Sequence, residues 1–223
     1  SYRNGDHGID NLDSDGQRIV SNSVLGNVTA GINVEGGSTG TTIRNNISVD
    51  NGIGSTRTDS NIRVDSQSTS GSSMDYDLVN LRTSATMLIW GSTKYTSLSA
   101  FKAATGQEAK GLQADPRWAA PGAGDFHLSA GSPAIDSANS SAPGETTTDA
   151  DGNPRVDDPL TVNSGAGSRL FDDRGAYEFQ PEVTDLPPAA SVSVTPSLGT
   201  APLKVTADAS ASTDTDATPI DSY

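Results

Sequence analysis

The stretch GIDNLDSDGQRIVSNSVLGN (residues 8–27) is echoed by GINVEGGSTGTTIRNNISVDN (residues 31–51). A shift of 23 residues lays Ile9 on Ile32, Val20 on Ile43, Asn22 on Asn45 and Val24 on Ile47. The matched positions are apolar or asparagine, and those between them are small or polar. A third copy follows the insert GIGSTRTDS (52–60): Ile62 lies 30 residues past Ile32, while Met74 and Leu78 lie 31 past Ile43 and Ile47. Self-similarity at a fixed period signals a repeat architecture, in which one unit cannot bury its apolar face alone and must stack on the next.

The apolar runs are short, alternating and β-branched, with Gly, Asn, Asp and Ser between them. That pattern reads as strands rather than helices. Two such runs in about 23 residues suit one coil of a right-handed parallel β-helix, with Ile9, Ile32 and Ile62 stacked inside and Asn22 over Asn45 as an internal amide ladder. A β-sandwich with coincident spacing is the alternative. Composition agrees with a narrow core: only 33% of the 223 residues are hydrophobic, 23 are glycine, and aromatics are few. The formal net charge is −14 and there is no cysteine. No basic stripe is present to neutralise phosphates, so nucleic acid is excluded as a partner, and an anionic membrane surface is disfavoured. No disulfide framework, thiolate nucleophile or cysteine zinc site is possible. No apolar run is long enough to span a bilayer. An acidic chain of this kind suits bound Ca²⁺.

Four further stretches occur in order: YTSLSAFKAATGQEAKGLQADPRW (95–118), DFHLSAGSPAIDSA (125–138), DADGNPR (149–155) and DDRGAYEF (172–179). With the repeats, they resemble the final coils and closing C-terminal segment of secreted right-handed parallel β-helix proteins, many of them polysaccharide lyases, epimerases or hydrolases. The resemblance covers about residues 5–180. It implies an all-β fold with coils over 1–94 and a capping segment over 95–180. SLSAFKAATG reads as a short amphipathic helix, with a serine start, Leu98, Phe101 and Ala104 on one face, and Gly106 as its stop. It would cover the open end of the solenoid, where bare strand edges invite aggregation. The Pro-rich stretch over 181–188 reads as a linker. Residues 189–223 resemble the first strands of a PKD-type immunoglobulin-like domain, a partial β-sandwich. The chain thus reads as a piece of a longer extracellular protein.

The candidate site is DHGID (6–10). It resembles the DDGxD calcium motif of one pectate-lyase family with this fold. The resemblance implies that Asp6 and Asp10 are Ca²⁺ ligands, with His7 where the family has a second aspartate. There the ion pairs with a uronate carboxylate and eases removal of the neighbouring proton. The family's basic lysine falls here on Asn33, or on Val34 if the register slips, and neither is a base. One coil on, the register puts Arg63 above Asn33. With coils about 4.8 Å apart, Asp10 and Arg63 lie roughly 10 Å apart on one outer face. Arginine holds a carboxylate bidentately, so Asn33, Arg63 and Glu35 are candidate substrate-binding residues. Arg63 is also the candidate catalytic group, although a guanidinium stays protonated. Glu35 and Asp65 flank the same face and could do acid–base work. The other reading is that Asp6, His7 and Asp10 are turn and surface groups.

DADGNPR begins like a calcium loop but lacks its closing glutamate, and an Asp–Gly turn explains it as well. His127 reads as a packed or surface histidine. Trp90 and Trp118 read as packing residues, although either could stack on a sugar. The resulting expectation is a lyase-like protein acting on acidic, uronate polysaccharide with Ca²⁺, the piece alone being inactive. The alternative is a non-catalytic secreted or cell-surface solenoid that binds carbohydrate or serves as structure.

Overall fold

The computed structural model describes residues 1–181 and 188–213. Most of the expected linker and the last part of the expected PKD-type segment, 182–187 and 214–223, lie outside the described residues. The chain divides into two compact units, Ser1–Gln180 and Pro181–Tyr223.

The first unit is nearly all β and mostly parallel. Its first circuit is β1 (Ile9–Leu12), β2 (Arg18–Val20) and β3 (Ser23–Leu25). The second is β4 (Ile32–Glu35), β5 (Thr42–Arg44) and β6 (Ile47–Val49). The third is β7 (Ile62–Val64), β8 (Ser73–Asp75) and β9 (Leu78–Asn80). Each strand pairs in parallel with its counterpart one circuit on, so β1, β4 and β7 share one sheet, β2, β5 and β8 a second, and β3, β6 and β9 a third. The chain visits the three sheets in the same order each time. This arrangement is compatible with a β-helix.

β10 (Leu88–Trp90) extends the first sheet in parallel, and β11 (Thr93–Tyr95) closes it antiparallel. Helix α1 (Leu98–Thr105) follows, with Ser97 Oγ accepting from Ala100 N–H and Gly106 left-handed at its end. This is the start and stop the sequence predicts. Leu98 and Phe101 join the inner core, where Phe101 meets Tyr95 edge-on at 5.2 Å. Ala104 is exposed, so the buried face is narrower than its spacing suggests. The strands β12 (Leu112–Gln113), β13 (Trp118–Ala120) and β14 (Asp125–Leu128) lead into irregular chain up to residue 180.

Ile32 and Ile62 are fully buried in register, with Ile9 packed partly buried at the end of the same column. The second half of the coil needs a correction. Ile19, not Val20, lies on Ile43, and Ser23, not Val24, lies on Ile47. The turn from β4 to β5 holds one more residue than the turn from β1 to β2, so the repeat is 23 in the first sheet and 24 in the other two. A one-residue slip exchanges the two faces of a strand. Here it sends Ile19, Ile43 and Met74 inward together, whereas Val20, Arg44 and Asp75 share the opposite face.

The amide ladder shifts with it. Asn22 donates to Asn46 Oδ1, and Asn46 donates to Asp77 Oδ1. A second ladder runs from Asn4 through Asn27 to Asn51. Asn45 precedes the first ladder in the left-handed region, at φ 59°, a conformation asparagine tolerates better than most residues.

The third sheet is buried on both faces, as near-continuous apolar parallel strands tend to be. Val24 and Val79 point to the inner core. Leu25, Ile47, Val49 and Leu78 belong to a second cluster with Trp118, Phe126, Leu128 and Ile135 of the capping segment. That segment therefore covers one side of the stack. In the second unit, β15 (Ser193–Thr195) and β16 (Thr206–Asp208) form an antiparallel hairpin. No helix among the described residues is long and apolar enough to cross a membrane.

Candidate functional site

The face of the first sheet opposite the core carries the candidate residues. Strand neighbours alternate sides, so burying Ile32, Val34, Ile62 and Val64 turns Asn33, Glu35 and Arg63 the other way. Asp10, Asn33 and Arg63 are direct neighbours on β1, β4 and β7, as the register predicts. Asn33 Nδ2 donates to Asp10 Oδ1 at 2.8 Å. Arg63 Nη1 donates to Asn33 Oδ1 at 2.6 Å and to Glu35 Oε2 at 2.7 Å. Arg63 Nε and Nη2 make no hydrogen bond among the described residues, and the side chain keeps 19% of its exposure. A donor edge of the guanidinium therefore remains open.

His7 completes the group from the turn before β1. Its side chain is only 6% exposed. Asn33 Nδ2 lies 3.3 Å from His7 Nε2, and Thr29 Oγ1 lies 2.8 Å from His7 Nδ1. An amide NH₂ can only donate, so Nε2 accepts, and Nδ1 carries the proton it gives to Thr29. Thr29 Oγ1 in turn donates to Asp6 Oδ1 at 2.9 Å. The hydrogen bonds thus run in one direction from Arg63, through Asn33, His7 and Thr29, to Asp6. An imidazole whose far nitrogen is tied through a hydroxyl to a carboxylate is fixed in tautomer and ring orientation.

One ligand atom each from His7, Asp10 and Glu35 lie within 4.8 Å of one another. The expected set was Asp6, His7 and Asp10. The structure brings Glu35 into the group and ties Asp6 to Thr29 and Arg57, the latter at 3.0 Å. The Arg57 hydrogen bond, then that from Thr29, hold the exposed Asp6 carboxyl below its ordinary value. Burial works against ionised Glu35, but hydrogen bonding with Asn33 and Arg63 and the Arg63 charge outweigh it and hold its carboxyl low. Both carboxylates are ionised at neutral pH. One imidazole nitrogen and two carboxylate oxygens fit a divalent cation.

Thr29 and Arg57 were missed by the sequence reading. Thr29 lies 23 residues past Asp6, so the repeat itself pointed to it. Arg57 comes from the aperiodic insert, where no register applies.

The other candidates have structural work. Asp65 accepts from the backbone N–H groups of Gln67 and Ser68 on one oxygen and Gly36 on the other. Asp149 of DADGNPR accepts from the backbone of Asp151 and Asn153 and, through its other oxygen, Glu178. That is turn chemistry. His127 lies between Asp125 (2.6 Å) and Asp151 (2.8 Å), against Tyr177 at 4.3 Å. Its pKa is raised, first by the hydrogen bond to Asp125. Trp118 meets Phe126 edge-on at 4.9 Å, and Trp90 lies 6.3 Å from Phe101. In comparisons with known proteins, no family model, curated protein or solved structure matches this chain.

Proposed function

We propose that the chain forms the closing coils of an extracellular right-handed parallel β-helix protein whose open sheet face binds an acidic polysaccharide. The observation that carries this reading is the Asp10–Asn33–Arg63 column, with a free guanidinium edge at one end and the Asp10 carboxylate at the other. Arg63 engages a sugar carboxylate directly. Asp10, Glu35 and His7 engage it through a divalent cation, Ca²⁺ by analogy with the aspartate motif or an ion of the Zn²⁺ class because the set includes an imidazole nitrogen. A guanidinium is a donor and a poor general base, so the reading is binding rather than lyase chemistry by these residues. The β15–β16 hairpin fits the opening of a PKD-type domain, an appendage suited to a secreted carbohydrate-active protein. The second reading, a structural solenoid, is favoured by the way the column's hydrogen bonds satisfy one another.

Isothermal titration with oligogalacturonates, with and without Ca²⁺, tests the proposal. Arg63→Ala weakens binding by about tenfold or more, in keeping with loss of a charge-assisted contact. Asp10→Ala removes the Ca²⁺ dependence. A neutral oligosaccharide of equal length does not bind. Binding that ignores both substitutions and the metal rejects the site.

A further inference from the structure

We propose that Arg63 gates a divalent-cation site made by His7, Asp10 and Glu35, so that cation and acidic sugar bind together and each weakens without the other. The inference deepens the polysaccharide reading and rests on it for the sugar half.

The geometry sets the gate. Arg63 Nη1 can only donate, so the side-chain oxygen of Asn33 must face it, at 2.6 Å. That orientation turns the Asn33 NH₂ toward Asp10 Oδ1 (2.8 Å) and His7 Nε2 (3.3 Å). Two amide protons then sit against the acceptors that a cation needs. Turning Asn33 over would offer its oxygen to the cation, but it would set NH₂ against Nη1, donor to donor. Arg63 also engages Glu35 Oε2 at 2.7 Å and places a positive charge beside the cluster. While Arg63 holds both residues, the cluster disfavours a cation.

A uronate carboxylate competes for the same guanidinium, and its planar fork favours two-point binding to such a group. Drawing Arg63 outward frees Glu35 and lets Asn33 turn. The cluster then offers one imidazole nitrogen and two carboxylate oxygens, with the Asn33 oxygen beside them. The Thr29–Asp6 relay already holds the imidazole with its lone pair facing inward. A nitrogen-accepting ion of the Zn²⁺ class fits this set better than one that takes oxygen alone. Coupling between the two ligands is reciprocal by linkage.

The test uses Zn²⁺ alone, with Ca²⁺ in a parallel arm, titrated calorimetrically into wild type, Arg63→Ala and Arg63→Ala/His7→Ala. Arg63→Gln serves as a second neutral variant should alanine disturb the fold. Removing the neighbouring charge and freeing Asn33 is expected to tighten Zn²⁺ binding about tenfold or more. The added His7→Ala abolishes the gain, and saturating oligogalacturonate tightens Zn²⁺ binding to wild type. Equal Zn²⁺ affinity in wild type and both neutral Arg63 variants overturns the gate. A gain for Ca²⁺ but not Zn²⁺ overturns the choice of ion. If no oligouronate binds yet the Arg63 variants gain Zn²⁺, the polysaccharide reading falls and the cation gate stands.

Discussion

Asn46 commits every polar atom of its side chain to the strands' alignment. Oδ1 accepts from Asn22 N at 3.0 Å and Asn22 Nδ2 at 2.9 Å, while Nδ2 donates to Ile19 O at 2.9 Å and Asp77 Oδ1 at 2.8 Å. The residue is fully buried. Asn46→Ala removes four hydrogen bonds at once from buried or part-buried partners, of which Asp77 Oδ1 keeps the residue-46 N–H and Asn22 Nδ2 keeps Val20 O, so a loss of about 2–4 kcal/mol is expected, one to three kcal/mol per orphaned group being typical. Urea unfolding followed by circular dichroism checks it. A loss under about 0.5 kcal/mol would show that the ladder forms without holding the coils together. The sequence places an asparagine ladder at this turn. The choice between Asn45 and Asn46 depends on one extra turn residue, which apolar matching alone passes over.

At the scale of the strand, Gly31 lets the start of the second circuit pass close to that circuit's own end. A β-carbon there would lie 2.6 Å from both Asn51 Nδ2 and Ser48 Oγ. Gly8 meets the same constraint one coil earlier, against Gly31 O at 2.5 Å and Asn27 Nδ2 at 2.6 Å. Each glycine leads directly into a strand of the candidate face, so the close approach helps set where Asp10 and Asn33 stand. Gly31→Ala is expected to cost about 1–3 kcal/mol through overpacking, read as a lower thermal midpoint. Gly5→Ala, whose β-carbon meets nothing within 4 Å, is the control and changes stability by less than about 0.5 kcal/mol. Equal effects at the two positions would refute the packing argument.

The whole molecule carries its acidity unevenly. Fully buried Glu108 ends the asparagine ladder, its Oε2 accepting from Asp77 N at 3.2 Å. Burial, then the charge of Asp77, pushes the Glu108 carboxyl well above its ordinary 4.5. A raised folded-state pKa means that the folded chain holds this proton more tightly than the unfolded chain does. Its stabilisation is therefore complete below the ordinary value and is lost as pH rises through the raised one. Asp6 and Glu35 work the other way, losing stabilisation as pH falls through their lowered values. The thermal midpoint is thus expected to fall as pH rises above the ordinary carboxylate value, helped by self-repulsion in a chain of net charge −14. Glu108→Gln, a permanently neutral stand-in for the protonated acid, should flatten that decline and exceed wild type at its alkaline end. Parallel profiles for wild type and Glu108→Gln would remove Glu108 as the cause.

By itself the sequence determined the strand periodicity, the stacking of Ile32 on Ile62, the helix start at Ser97 and stop at Gly106, and the Asp10–Asn33–Arg63 column. Each follows from local rules: alternation along a strand, a cap at a helix end, a repeat carried forward by counting. Only the tertiary structure decided the shift from 23 to 24 within a coil, the grouping of Glu35 rather than Asp6 with His7 and Asp10, and the tie from Arg57 to Asp6. These depend on turn length, side-chain reach and the path of an aperiodic insert. Such features bring together residues that no period relates, and their geometry exists only once the coils have closed on one another.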